Sequence, residues 1–262
     1  MKDYVVNNFK AINSQYAVGQ LSTCIDLEGC SLKTMMFEKY PSISPYTYCA
    51  NNPILFVDPT GEEIDVTFLP QEVRNKLITS LNKITGLNLG TKKNEKGFTV
   101  LTYSGEVNEE GTSTTARDIL INAINNPLKV EVGVKKEGSK GIGLGIGLDI
   151  LEIQGFIDGV QGGLNPETMG FGMTFLHELD HTDLGRKTTH SFAESICFGK
   201  IGTTLSLMNT IRNELGADYG ERKSYKSKSI GNFDYLPFDS SACFDLKDNK
   251  LPWIGKYIEY KK

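Results

Sequence analysis

The chain has 262 residues, 39% of them hydrophobic and 23% charged, with a net charge of −4. That balance is ordinary for a globular protein long enough to bury a core, and the absence of a basic stripe excludes nucleic acid as an expected partner. The first nineteen residues lack the apolar stretch of a signal peptide, and the most apolar run, 141–160, carries Asp149, Glu152 and Asp158. The expectation is therefore a chain made in the cytoplasm with no cleaved leader and no membrane span.

The five cysteines (Cys24, Cys30, Cys49, Cys197, Cys243) are odd in number and widely spaced, which predicts free thiols. In chain order, residues 37–64 are rich in Pro, Tyr, Asn and Gly and read as turns and short extended pieces, so the chain is expected to divide near residue 64. Residues 64–69 read as a strand. Residues 69–86 read as a helix, with Pro70 near its start, Val73, Leu77, Ile78 and Leu81 on one face, and Gly86 as its stop. Residues 97–104 and 128–136 alternate like strands and flank a capped amphipathic helix over 112–126.

Residues 142–153 alternate again. Ile142, Leu144, Ile146, Leu148 and Ile150 share one face, and Gly143, Gly145, Gly147 and Asp149 the other. The pattern predicts a strand whose glycine face admits a close neighbour. Residues 164–185 read as one helix capped by Asn165, with Pro166 at its first position and Gly185 as its end. A second long helix is expected over 191–215. The tail after Tyr225 shows no organisation.

All three histidines of the chain, His177, His181 and His190, fall within fourteen residues. His177-Glu178-Leu179-Asp180-His181 is an HExxH motif. Positions i and i+4 lie one above the other on a helix, so both imidazoles can address one ion, and neutral imidazole is a good ligand for Zn²⁺. Glu178 lies beside such an ion without binding it, placed to act as general base toward a zinc-activated water. Phe175, Leu176 and Leu179 supply an apolar back to the helix, while Gly170, Thr174, His177 and His181 share its front. Asp180 is expected to face water.

The segment from His177 to His190 resembles the zincin class of metallopeptidases, and its helix–glycine–histidine order resembles the metzincin branch. The spacing departs from that branch: Gly185 follows His181 by four residues, and His190 follows Gly185 by five. The expected third ligand is His190. Glu194 and Glu214 are the alternatives, Glu214 because Asn213-Glu214 resembles the glutamate-bearing helix of gluzincins. The run 142–153 is then expected to be the edge strand beside the cleft, since such sites hold an extended peptide by strand addition.

Residues 37–64, with Pro53, Asp58, Pro59 and Gly61, resemble the closing segment of the Rhs/YD-repeat core, which marks the junction to a variable C-terminal toxin or effector. Asn209, Arg212, Gly216, Arg222 and Tyr225 resemble a loose pattern of peptidase tips of that kind. The resemblance implies an Rhs-core remnant over 1–64, followed over 65–262 by an α+β zincin-like domain with a mixed or antiparallel sheet. It implies a protein or peptide substrate in a competitor or host cell, an immunity protein as partner, and export by a specialised secretion system. Within the site, Tyr225 and Arg222, with Tyr219 beside them, are the expected oxyanion stabilisers. The competing reading is a catalytically silent interaction module with a structural zinc, which four protein ligands would close, whereas a catalytic zinc keeps a position open.

Overall fold

The computed structural model describes residues 63–126, 128–186, 197 and 201–261. The chain divides into two units, 1–61 and 62–262. Residues 37–62 of the Rhs-like segment lie outside the described residues, and its last two, Glu63 and Ile64, belong to the second unit. The second unit is α+β, with two sheets and six α-helices among the described residues.

The larger sheet has the order β2-β3-β1-β4-β6-β5. Its strands are β1 (Ile64–Asp65), β2 (Asn88–Lys93), β3 (Thr99–Ser104), β4 (Val130–Val134), β5 (Lys140–Ile142) and β6 (Gly145–Leu148). β1, β4 and β6 run parallel, while β2, β3 and β5 pair antiparallel with their neighbours, so the sheet is mixed. Helix α1 (Gln71–Thr85) starts at Pro70 and closes at Gly86, and buries Val73, Leu77, Leu81 and Ile84. Helix α2 (Thr114–Ile124) is capped by the Ser113 hydroxyl, which accepts from Ala116 N at 3.0 Å. Both helices fall where apolar periodicity and caps predict them.

The run 142–153 does not stay one strand. Ile142 ends β5, the chain turns at Gly143 (φ 58°), and β6 returns beside it. Of the apolar residues at the start of the run, Ile146 and Leu148 are buried, while Ile142 and Leu144 face outward. Asp149 then accepts from Leu151 N and Glu152 N and starts helix α3 (Ile150–Asp158). β6 lies inside the sheet, and of this run only Ile142, as the end of β5, belongs to an edge strand.

The tail that shows no pattern in the sequence supplies three strands of a four-stranded antiparallel sheet of order β7-β10-β9-β8. The four are β7 (Val160–Gln161), β8 (Lys228–Ile230), β9 (Phe233–Pro237) and β10 (Tyr257–Tyr260). Helix α6 (Ser240–Lys247) follows β9. A second small core of Phe156, Leu164, Met169, Leu236, Phe238 and Ile258 lies under this sheet. Cys197 and Cys243 are disulfide-bonded, with Cα atoms 5.5 Å apart, which corrects the expectation of free thiols for this pair. A separation of 46 residues carries no sequence signal, because the intervening fold brings the two together. No helix among the described residues is long and apolar enough to cross a membrane.

Ile64 is fully buried, and Glu63 O accepts from Val130 N at 3.2 Å. The folding unit therefore starts before residue 65. A chain of residues 62–262 should melt cooperatively, and one starting at residue 65 should melt lower. Loss of a buried Ile costs about 2–5 kcal/mol, so the drop should be on the order of 10 °C by calorimetry. Equal melting of the two would place the unit boundary elsewhere.

Candidate active site

Four of the five HExxH residues sit on helix α4 (Phe171–Asp180), and His181 is its C-cap. The long helix expected over 164–185 is divided. Asn165 caps a 3₁₀ turn, Pro166–Met169, by accepting from Glu167 N at 3.0 Å, and Gly170 in extended conformation interrupts the chain before α4. α4 ends at Asp180, ahead of the expected stop at Gly185. Gly185 serves instead as a close approach: a Cβ there would lie 2.4 Å from Leu179 O.

Every residue of α4 except His177 is buried. Gly172 lies against α1, where its N–H donates to Ser80 Oγ at 2.8 Å. Phe175, Leu176 and Leu179 enter the main core. His177 faces a cavity of about 430 Å³ that is also lined by Glu178, Glu152, Tyr225, Arg212 and Arg222.

The Nε2 atoms of His177 and His181 are 3.3 Å apart, with the rings edge-to-face at 78°. Two nitrogens bound to one zinc at about 2.0–2.1 Å with a tetrahedral angle are separated by roughly 3.3 Å. The two imidazoles thus fit one edge of a zinc coordination sphere. His190 and Glu194 lie outside the described residues. Among the described residues no third His, Cys, Asp or Glu completes a metal-binding group. Glu214 has other work. Its carboxylate accepts from Ser113 Oγ, from Thr115 N at 3.0 Å and from Thr115 Oγ1, so it caps the start of α2.

Glu178 is buried, and its Oε2 accepts from Gly141 N in β5 at 2.7 Å. Burial pushes its carboxyl up to about 7; Glu152 adds to the shift, while the Gly141 N–H and Lys135 oppose it. The approach of β5 to α4 depends on a missing side chain, since a Cβ on Gly141 would lie 1.9 Å from Glu178 O.

Asp180, expected in water, is buried. Its two oxygens accept from Arg186 Nε at 2.7 Å and Nη2 at 2.8 Å, and Thr204 Oγ1 donates to it at 2.6 Å. Thr204 lies in the first turn of helix α5 (Thr203–Leu215), which starts later than the helix expected over 191–215: Cys197 is in a turn and residues 201 and 202 are not helical. The reason for the burial of Asp180 is tertiary: α5 packs where an isolated α4 would meet solvent.

The residues of the Asn-Arg-Gly-Arg-Tyr pattern come together through Asn209. Its Nδ2 donates to Arg222 O at 2.9 Å, and its Oδ1 accepts from Arg222 N and Arg212 Nη1, both at 3.0 Å. Gly216 closes α5 at φ 129° and turns the chain back. Arg222 Nε donates to Ser224 O at 3.0 Å and Nη2 to Tyr225 O at 2.7 Å, while its guanidinium lies over the Tyr225 ring at 5.3 Å. Tyr225 in turn stacks on His177, with centroids 6.2 Å apart and planes 15° apart. Arg222 therefore holds the loop that carries Tyr225. Tyr219 packs in the main core and does not line the cavity; burial pushes its hydroxyl up to about 12, with Glu167 and Asp218 adding to the shift. Gly141 and Glu152 are site residues that motif reading missed. The glycine face of 142–153 signalled a close approach, but not its partner.

No protein-family model matches the chain, and neither a curated protein nor a solved structure does.

Two outcomes follow from this geometry. Gly141→Ala should force β5 off α4 and lower the melting temperature by several degrees, whereas Gly90→Ala, with its nearest neighbour 4.0 Å from the new Cβ, should not. Equal melts for the two would remove the close-packing role of Gly141. The second concerns pH in the metal-free protein. The folded-state value of Glu178 lies above its ordinary 4.5, so the folded state holds the proton more tightly. Stability should therefore fall as pH rises from about 4.5 through about 7, by on the order of 3 kcal/mol. Glu178→Gln should flatten that slope, and denaturant melts from pH 5 to 8 measure it.

Proposed function

We propose that the chain is a zinc-dependent peptidase, the effector tip of an Rhs-type system, acting on proteins of a competitor or host cell. The observation that carries the peptidase reading is the approach of the His177 and His181 Nε2 atoms to 3.3 Å, with His177 on the cavity that Glu178 also lines. The effector reading rests on the resemblance of residues 37–64, and an immunity protein and a specialised export route belong to it.

In this reading His177 and His181 hold the metal and His190 completes the ligand set. Zinc bound there would polarise the scissile carbonyl and lower the pKa of the attacking water toward about 7. Glu178 takes the proton from that water and passes it to the leaving amine. Burial holds the Glu178 carboxyl up at about 7 in the metal-free protein, and a bound dication beside it would favour the carboxylate, the form that accepts the proton. The Gly141 N–H fixes Oε2, so the carboxyl cannot rotate away between the two transfers. The Tyr225 phenol, beside His177, is the donor for the developing oxyanion, and Arg222 positions it.

Metal analysis of the purified protein, paired with a proteome-wide cleavage assay, tests the reading. Glu178→Gln should keep stoichiometric zinc while losing turnover by at least about 10²-fold. His190→Ala should lose most of the zinc. Glu214→Ala should keep zinc and lose about 1 kcal/mol of stability, because it removes the cap on α2. Four protein ligands in the zinc absorption spectrum, with no turnover by wild type, would instead establish a structural zinc in an interaction module.

A further inference from the structure

The Tyr225 side of the cavity is lined by two buried arginines, Arg212 and Arg222. Arg212 is 1% exposed and heads the fully buried side chains of the described residues. Buried guanidinium groups ordinarily sit against a carboxylate, because an uncompensated charge in low dielectric is costly. Arg212 has no such partner among the described residues. Its Nε donates to Thr168 Oγ1 at 3.0 Å and Thr168 O at 3.3 Å, its Nη2 to Thr168 O at 3.0 Å and Met169 Sδ at 3.4 Å, and its Nη1 to Asn209 Oδ1 at 3.0 Å. All of these acceptors are neutral, and the group rests over the Phe238 ring at 5.3 Å. Of its five N–H groups, one on Nη1 is left without an acceptor among the described residues. The neighbouring Arg222 adds charge of the same sign, and together with burial it pushes the Arg212 guanidinium down to about 9.

The acidic groups of the cavity lie elsewhere. Glu178 is held by Gly141, and Glu152 accepts from Ser139 N at 3.1 Å, both on the β5 side. Tyr225, stacked on His177, separates the imidazole from Arg222. The cavity is thus polarised, with carboxyls toward β5 and guanidiniums toward α5 and the 222–225 loop.

We propose that the arginine side of this cavity binds a carboxylate of the peptide substrate, either an acidic side chain or a free C-terminus, with Arg212 supplying the uncompensated charge. This rests on the peptidase reading for the identity of the ligand, but not for the charge. A planar guanidinium fork matches a carboxylate better than a point cation does. An incoming carboxylate would give Arg212 the counter-charge it lacks among the described residues.

The test is peptide binding by full-length, zinc-loaded Glu178→Gln protein, read by fluorescence anisotropy with labelled peptides of about eight residues. One matched pair differs only by an internal Glu or Gln, and a second only by a C-terminal acid or amide. The carboxylate member of one pair should bind at least about tenfold more tightly, and the pair that shows it identifies the source. Arg212→Lys should abolish the discrimination. Arg222→Lys, which leaves the most buried group intact, should weaken it if Arg212→Lys fails to fold. Equal binding within both pairs, no binding at all, or discrimination that survives both substitutions would overturn the proposal. Discrimination in the absence of cleavage by wild type would leave the subsite standing and remove the peptidase reading; cleavage of all four peptides at equal rates would do the reverse.

Discussion

The β5 hairpin can lie against the HExxH helix only because residue 141 has no side chain. Any Cβ there would collide with the backbone of Glu178 itself. The same contact supplies the Gly141 N–H to the Glu178 carboxyl. Steric fit and polar satisfaction are therefore one feature. Without the hydrogen bond a carboxyl buried this far would carry a penalty of about 1–3 kcal/mol or more, and without the close approach the bond could not form. β5 is paired to β6, and β6 to β4, so the placement of Glu178 is transmitted into the sheet.

α4 is buried on nearly all sides, and a helix in that position must satisfy each polar group it carries. Thr174 donates to Met169 O at 3.3 Å, and Asp180 is held by Arg186 and Thr204. Asp180 sits at the helix C-terminus, where the macrodipole disfavours an anion. The bidentate Arg186 offsets that, and Thr204 links the same carboxylate to the first turn of α5. The α4–α5 crossing is thereby fixed at one end by Asp180 and, deeper in, by Arg212 on Thr168. His177 is left as the one residue of α4 that is not buried, and it faces the cavity.

What the sequence disclosed follows the range of the interactions involved. α1 and α2 were legible because their caps, Gly86 and Ser113, and their apolar stripes are local signals. The pairing of His177 and His181 was legible because residues at i and i+4 share one helix face. The run 142–153 misled because strict alternation is equally the pattern of a hairpin that ends in an Asp-capped helix: Asp149 reads as the next polar position of a strand and is in fact an N-cap. The burial of Asp180 depends on Thr204, 24 residues later. The second sheet was illegible for the same reason. β7 pairs with β10, nearly a hundred residues away, and strands of two to five residues carry too little pattern to show alone.

The loose Asn-Arg-Gly-Arg-Tyr pattern acquires a physical meaning from one amide. Asn209 pairs both backbone groups of Arg222 much as a neighbouring strand would, and its Oδ1 also receives Arg212 Nη1. Aspartate could accept those bonds but could not donate to Arg222 O, and a hydrophobic residue could do neither. With Asn209 in place, Arg222 is fixed at its backbone, and its side chain can then reach forward to the carbonyls of Ser224 and Tyr225. The stacking of Tyr225 on His177 is the end of that chain. The orientation of the His177 imidazole is thus tied, through Tyr225, Arg222 and Asn209, to a helix whose first turn also meets α4 through Asp180, so the geometry of the histidine pair is a property of the α4–α5 crossing as a whole.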